Sequence, residues 1–284
     1  MILVTGAGGT VGSALVQALE AQGHKPRVAY HSPHKTETAK RDGHDALLID
    51  FVDPKTLPPA LDGVEAVFLL GTGGRGQSEQ EINAVNAAKA AGVKRLVKLS
   101  IWGAAREQFS LAKVHRTVER AVETSGLSWT FLRPNGFMQN FVNHMGGTIT
   151  SQGAIYQPAG DARISHIDVR DVAAVAARVL TTSGHEGKAY ELSGPQALSY
   201  AEAASILSSV LDRRINYVAL SDDAARAGML AAGMPDFYVD YLLDLFRAYR
   251  GDVASQVTPE VKNITGREPV AFDQFVRDHA HAFG

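Results

Sequence analysis

The chain has 284 residues with 28 Lys+Arg against 30 Asp+Glu, a net charge of -2, and no cysteine. This balance lacks the cationic footprint of a nucleic-acid or anionic-membrane binder, so neither partner is expected. Without cysteine there are no disulfides, thiolate metal sites, thiol nucleophiles or iron–sulfur clusters, which leaves any redox work to a bound cofactor. The ten histidines are scattered without a His-Glu-x-x-His spacing, no apolar stretch reaches membrane-span length, and no basic segment precedes an apolar signal core. No metal site and a cytoplasmic location are therefore expected.

The first twelve residues, Met1-Ile2-Leu3-Val4-Thr5-Gly6-Ala7-Gly8-Gly9-Thr10-Val11-Gly12, read as an apolar strand entering a glycine turn and then a helix. At Gly6 and Gly9 the backbone turns tightly and approaches an anion, so side chains are excluded there, while Gly12 lets helix and strand pack closely. The helix that follows carries Ala14, Leu15, Ala18 and Leu19 at helical spacing, and its amides and dipole face a diphosphate. A strand, a turn and a helix in this order favour nucleotide binding over a purely structural turn.

The second strand, Arg27 to Tyr30, runs into His31-Ser32-Pro33-His34-Lys35. NAD-specific sites place an acid at this point to hold both ribose hydroxyls. Here His31, Ser32 and Lys35 offer hydrogen bonds and positive charge to a 2′-phosphate instead, which points to NADP; the competing reading is a polar surface loop.

Further strands are predicted at Ala46 to Ile49, Ala66 to Leu70, Arg95 to Leu99, Thr130 to Leu132 and Tyr190 to Leu192, with helices at Glu79 to Ala91 and Leu111 to Ser125. This alternation is that of an α/β fold, a doubly wound parallel sheet covered on both faces. Beyond Arg133 it loosens, and Gly146-Gly147, Gly153 and Pro158-Ala159-Gly160 predict irregular structure outside the sheet. Asp168 and Asp171 read as helix-end residues of a helix from Val172 to Leu180 rather than as catalytic acids. The segment from Tyr200 to Gly284 is mostly helical in pattern, and its aromatics between Met229 and Tyr249 read as core. The expected division is 1–134 with 165–195 as a nucleotide-binding domain, and 135–164 with 196–284 as a smaller, mostly helical substrate lobe.

The turn Thr5-Gly6-x-x-Gly9-x-x-Gly12, the pair Asp50-Phe51 and the run Ser128-Trp129-Thr130-Phe131-Leu132-Arg133-Pro134-Asn135-Gly136-Phe137-Met138-Gln139-Asn140 resemble the NmrA-like branch of atypical short-chain dehydrogenases/reductases. Within it the likeness is to the triphenylmethane reductase, NADPH quinone oxidoreductase and azoreductase type. Asp168-Val169-Arg170-Asp171-Val172-Ala173 and Thr265-Gly266-Arg267-Glu268-Pro269 extend the resemblance over nearly the whole chain.

The resemblance implies a Rossmann-like domain binding NADPH. Gly9, Thr10 and Val11 would meet the diphosphate, Asp50 and Phe51 the adenine, and Leu70, Gly71, Thr72 and Gly73 the ribose. Pro134, Asn135 and Phe137 would lie by the nicotinamide. For Gly73, Gly74 and Gly76 a flexible surface loop is an equal reading.

One departure stands out. The family's Tyr-x-x-x-Lys pair falls on Leu111 and His115, so the usual proton relay is missing, and Lys113 lies two residues from His115, nearly opposite it on the helix. Ser100, at a strand end, is a candidate catalytic hydroxyl or a structural serine, and His115 a candidate proton donor or a packed histidine. The expected function is an NADPH-dependent reductase passing hydride to a small quinone-like or aromatic acceptor held against Trp102, Phe137 and Tyr156, as a monomer or homodimer. The alternative is a dinucleotide-binding redox sensor of NmrA type without turnover.

Overall fold

A computed structural model describes residues 1–284. In chain order its elements are β1 (Ile2–Val4), α1 (Thr10–Ala21), β2 (Arg27–Tyr30), α2 (Pro33–Arg41), β3 (Ala46–Leu48), α3 (Leu57–Leu61), β4 (Ala66–Leu69), α4 (Gln77–Ala90), β5 (Arg95–Leu99), α5 (Ser110–Glu123) and β6 (Ser128–Pro134). They continue with α6 (Gln139–Asn143), α7 (Gly146–Gln152), β7 (Ala154–Gln157), α8 (Val169–Thr181), β8 (Lys188–Leu192), α9 (Tyr200–Leu211), β9 (Asn216–Ala219), α10 (Asp222–Ala231), α11 (Asp236–Arg250), α12 (Glu260–Thr265) and α13 (Phe272–Asp278). No helix is long and apolar enough to cross a membrane.

Seven strands form one sheet in the order β3-β2-β1-β4-β5-β6-β8. Pairings from β3 through to β6 are parallel, with Leu3 opposite Arg27, Ile2 opposite Ala66 and Leu96 opposite Trp129. Parallel strands need crossover helices, which cover both faces and make the strands apolar throughout. Leu3, Val67, Leu69, Leu96 and Phe131 pack with Leu57, Leu61, Val85, Ala88, Val118 and Val122 of α3, α4 and α5. Alternate residues such as Val4, Val28 and Phe68 are fully buried on the opposite side, where α8 packs against α1, β4 and β5. The order reverses between β1 and β4, and such switch points open the crevice where these sheets bind ligands. Thr5 ties the two strand ends together: its hydroxyl donates to Phe68 O and Leu70 O, both at 3.0 Å, and accepts from Leu70 N at 2.8 Å.

The chain divides into two units: residues 1–101, 114–133 and 169–190 form one, and 102–113, 134–168 and 191–284 the other. Segment 102–113, expected in the nucleotide domain, falls in the second unit. Its anchors explain why: Trp102 Nε1 donates to Val253 O at 2.6 Å, Gly103 N to Glu191 at 3.1 Å and Ser110 N to Asp244 at 2.6 Å.

The second unit has its own core, including Met138, Phe141, Ile149, Ile155, Leu207, Phe272 and Phe275. It also corrects the irregular structure expected around Gly146 to Gly160. Gly146 begins α7, Gly153 closes it with φ +60, and β7 pairs in parallel with β9, Ile155 opposite Tyr217. A left-handed glycine is a common helix stop, and the four-residue strand behind it is too short to show a period in the sequence.

Candidate active site

The glycine turn follows from sterics. Gly6 has φ +64, and a Cβ there would lie 3.0 Å from Leu70 Cγ; a Cβ on Gly12 would lie 2.1 Å from Gly6 O, which is backbone and cannot give way. Gly9 is the N-cap of α1, and no side chain caps that helix end. The first amides of a helix have no internal acceptor, so those of Thr10, Val11 and Gly12 stand at the carboxyl end of β1 without a capping side chain, an arrangement able to take an anion. Gly8, Gly9 and Thr10 are exposed.

Lys35 reaches across this turn, its Nζ donating to Gly8 O at 3.2 Å. Ser32 caps α2, accepting from Lys35 N at 3.4 Å with Pro33 behind it, so the stretch read as a polar loop begins a helix. His31 is exposed beside it. On the adjoining strand end the Asp50 carboxylate accepts from Val52 N at 2.9 Å, and Phe51 is buried with its carbonyl held by Asn83 at 3.1 Å. The turn, Lys35, Asp50 and Leu70 thus belong to the same strand ends. Past β4, Thr72 is exposed, and Gly73, Gly74 and Gly76 all have positive φ, between +74 and +98.

Beneath that loop lies a buried polar chain that the sequence reading missed. Lys98 on β5, fully buried, pairs with Glu81 on α4, which is 1% exposed. Gln77 Nε2 donates to Glu81 Oε1 at 2.9 Å and stands 3.5 Å from His115 Nε2. A Cβ on Gly71 would come within 2.9 Å of Glu81 Oε1, so the loop rests directly on the pair.

This setting corrects the proton-donor role for His115. Burial, and then the positive charge of Lys98, hold its pKa well below the ordinary histidine value. The ring therefore lacks, near pH 7, the imidazolium charge a general acid would use. With Gln77 donating, we assign the ring proton to Nδ1, which has no partner.

Ser100 is corrected as well. It is 5% exposed and its hydroxyl donates to Glu119 Oε1 at 2.6 Å. Glu119 also takes a two-pronged contact from Arg133, at 2.9 Å from Nε and 2.7 Å from Nη2. Burial pushes the Glu119 carboxyl up, but the hydrogen bonds from Arg133 and Ser100 outweigh it and hold it below the usual range. Ser100 is therefore part of a clasp between α5 and the ends of β5 and β6.

In the second unit Trp102 is 4% exposed with its indole N–H committed to Val253, so it offers no open face for stacking, contrary to expectation. The Asn135 side chain is spent internally, donating to Ser165 Oγ at 2.8 Å and Ala254 O at 2.9 Å and accepting from Gly136 N at 2.9 Å. Pro134 is buried, Phe137 is half-buried and bridges to Ile167, and Tyr156 on β7 donates to Gln152 at 2.9 Å.

His166, 5% exposed, is pushed down to about 4 by burial, against a hydrogen bond to the Ile164 backbone. Between about pH 6.5 and 4 the unfolded chain takes up a proton that the folded one refuses, so stability rises with pH in that window. Two and a half units correspond to about 3 kcal/mol. Urea denaturation of His166→Asn should show a shallower fall between pH 6.5 and 4 than the parent; equal slopes would remove His166 as the cause.

No group of three or more His, Asp or Glu side chains is arranged to hold a metal. A family model described as NAD(P)H-binding matches residues 6–183. The chain is 37% identical to an NAD(P)H azoreductase of Xenophilus azovorans over 287 residues, covering 100% of this chain and 99% of that one. Among solved structures it is similar to the NADPH-dependent quinone oxidoreductase of Escherichia coli complexed with NADPH, with TM-score 0.89 and 28% identity over 100% of both chains. It is similar, too, to the Citrobacter triphenylmethane reductase complexed with NADP(H), with TM-score 0.86 and 28% identity over 98% and 99%.

Proposed function

The chain belongs to the NAD(P)H-binding family, and from that premise we propose that it is an NADPH-dependent reductase passing hydride to a conjugated aromatic acceptor such as a quinone, an azo dye or a triphenylmethane dye. The observation that carries this reading is the uncapped, side-chain-free start of α1 at Gly9, with Lys35 held across the turn.

The residues fit a phosphorylated dinucleotide. Amides of Thr10, Val11 and Gly12 meet the diphosphate; Lys35, with His31 and Ser32, meets the 2′-phosphate, where an acid would repel it. Asp50 and Phe51 serve the adenine, the backbone from Leu70 to Gly73 the ribose, and Pro134, Asn135 and Phe137 the nicotinamide side. Asn135 acts there through its backbone, since its amide is already engaged. NADPH supplies the hydride when bound. The chain contributes binding and orientation, which are worth many orders of magnitude in rate when reacting atoms are held in line. It contributes no phenol–ammonium pair on α5, and an acceptor whose reduced form takes its proton from water needs none.

Lys35→Glu tests the choice of cofactor. Losing a hydrogen bond to a charged phosphate and adding repulsion should weaken NADPH by about 10- to 100-fold while changing NADH little. Equal weakening of both would remove Lys35 from the phosphate. The activity itself is tested by anaerobic incubation with NADPH and a panel of quinones, azo dyes and triphenylmethane dyes, following nicotinamide absorbance. Steady oxidation with at least one class is expected. Tight binding of both cofactor forms with no oxidation by any acceptor would favour the non-catalytic sensor instead.

A further inference from the structure

Gly8 is not required by the bend of the glycine turn. Its φ lies outside the left-handed region, so a side chain there meets no backbone strain. What a Cβ would meet is two side chains: Lys35 Cδ at 3.1 Å, Lys35 Nζ at 3.3 Å and Tyr30 Cδ1 at 3.1 Å. These distances are shorter than ordinary carbon contacts, so the lysine stem lies against Gly8 as closely as a bare Cα allows.

Lys35 is held at both ends. At its root Ser32 Oγ accepts from Lys35 N at 3.4 Å and Ser32 O from Thr36 N at 3.0 Å, which fixes the first turn of α2. At its tip Nζ donates to Gly8 O at 3.2 Å. An ammonium has three N–H groups, so two remain for a phosphate while the third stays on Gly8. A lysine already seated in this way has given up its rotamers before a ligand arrives, and binding need not supply that ordering. The turn itself is pinned on either side of Gly8, with Ala7 N donating to Ala29 O at 3.3 Å and Gly9 N to Gly6 O at 3.0 Å. Tyr30 belongs to β2, where it pairs with Leu48 of β3. The exposed stem of Lys35 is therefore the neighbour that gives way to any side chain at position 8.

We propose that Gly8 is a positioning residue for coenzyme choice: its bare Cα and its carbonyl seat the Lys35 ammonium across the turn, where it selects dinucleotides that carry a 2′-phosphate. This rests on the reading of the chain as an NADPH-dependent reductase. Charge and seat are separate requirements, since a lysine without the seat stays positive but is no longer aimed.

The test is calorimetric titration of the whole protein with NADPH, NADH and adenosine 2′,5′-bisphosphate, which bears the phosphate and no nicotinamide. Parent, Gly8→Val, Lys35→Met and the double variant are compared. Gly8→Val should weaken NADPH and the bisphosphate about 10-fold and leave NADH within about twofold, and Lys35→Met should do the same. Both act through one ammonium, so the double variant should be within about twofold of Lys35→Met, where independent effects would multiply to about 100-fold. Gly8→Ala, whose methyl asks its neighbours for only a few tenths of an ångström, should show the same selectivity at about threefold and stands in if Gly8→Val does not fold. Equal weakening of all three ligands by the substitution at Gly8, an unchanged preference for NADPH, or multiplied losses in the double variant overturn the seat and leave the reductase reading standing. A parent that binds neither coenzyme overturns that reading and the seat with it.

Discussion

Gly12→Ala should abolish dinucleotide binding. Its Cβ would sit 2.1 Å from Gly6 O, 2.7 Å from Gly6 C and 2.9 Å from Ala7 Cα, all backbone atoms. The start of α1 has to move by about 1 Å to relieve contacts so far inside van der Waals range, and that carries the amides of Thr10 and Val11 off the diphosphate. Overpacking of this kind costs about 1–3 kcal/mol in stability, or roughly 2–10 °C in Tm for a chain of this size, whereas affinity for NADPH should fall by more than about 100-fold, since an anion site of fixed amides tolerates little displacement. Gly9→Ala separates the two effects. At Gly9 the backbone is extended and a Cβ would meet only Gly6 O at 3.4 Å, so the fold has room for it. Isothermal titration with NADPH should show Gly9→Ala folded and stable but weakened, and Gly12→Ala both destabilised and silent. A Gly12→Ala protein that binds NADPH like the parent would contradict the turn as the cofactor's seat.

The second large effect is expected at Lys98. Lys98→Met leaves the Glu81 carboxylate, 1% exposed, without its ion pair and with only Gln77 as a donor. Removing one partner of a buried pair costs about 3–5 kcal/mol, while replacing both is often close to neutral. Urea denaturation should therefore find Lys98→Met severely destabilised and the double variant Lys98→Met/Glu81→Gln largely recovered, because the amide at 81 carries no charge and still accepts from Gln77. Additive losses in the double variant would mean that the two side chains do not depend on each other. As Gly71 rests on Glu81, a second readout is NADPH affinity, which should weaken in Lys98→Met along with stability.

The parts of this molecule that were legible in the sequence are those whose physics is local. Gly6, Gly9 and Gly12 declare the turn because the steric demand falls on those residues themselves. Strands such as Arg27–Tyr30 and Arg95–Leu99 were placed with their observed ends, since a strand buried on both faces is a short apolar run between helices. Ser32-Pro33 carries a helix-start signal, which sets aside the competing reading of a polar surface loop. What stayed hidden depends on pairs distant in sequence. Lys98 looks anomalous in an apolar strand, but its partner Glu81 lies 17 residues earlier on another element. Ser100 and His115 drew catalytic readings from their positions, and only the structure shows one committed to Glu119 and the other neutral beside Lys98 and Gln77. The burial of Trp102 is equally hidden, because an aromatic near a strand end says nothing of whether its face is covered. Tyr249, read as core, is core by burial at 8% exposed.

The central claim, that the start of α1 seats a phosphorylated nicotinamide dinucleotide, is tested most directly by calorimetric titration of the whole protein with NADPH and with NADH at one ionic strength. Saturable one-to-one heat with NADPH, tighter than with NADH and lost in Gly12→Ala, is the predicted result. No heat with either coenzyme would contradict the account at its root.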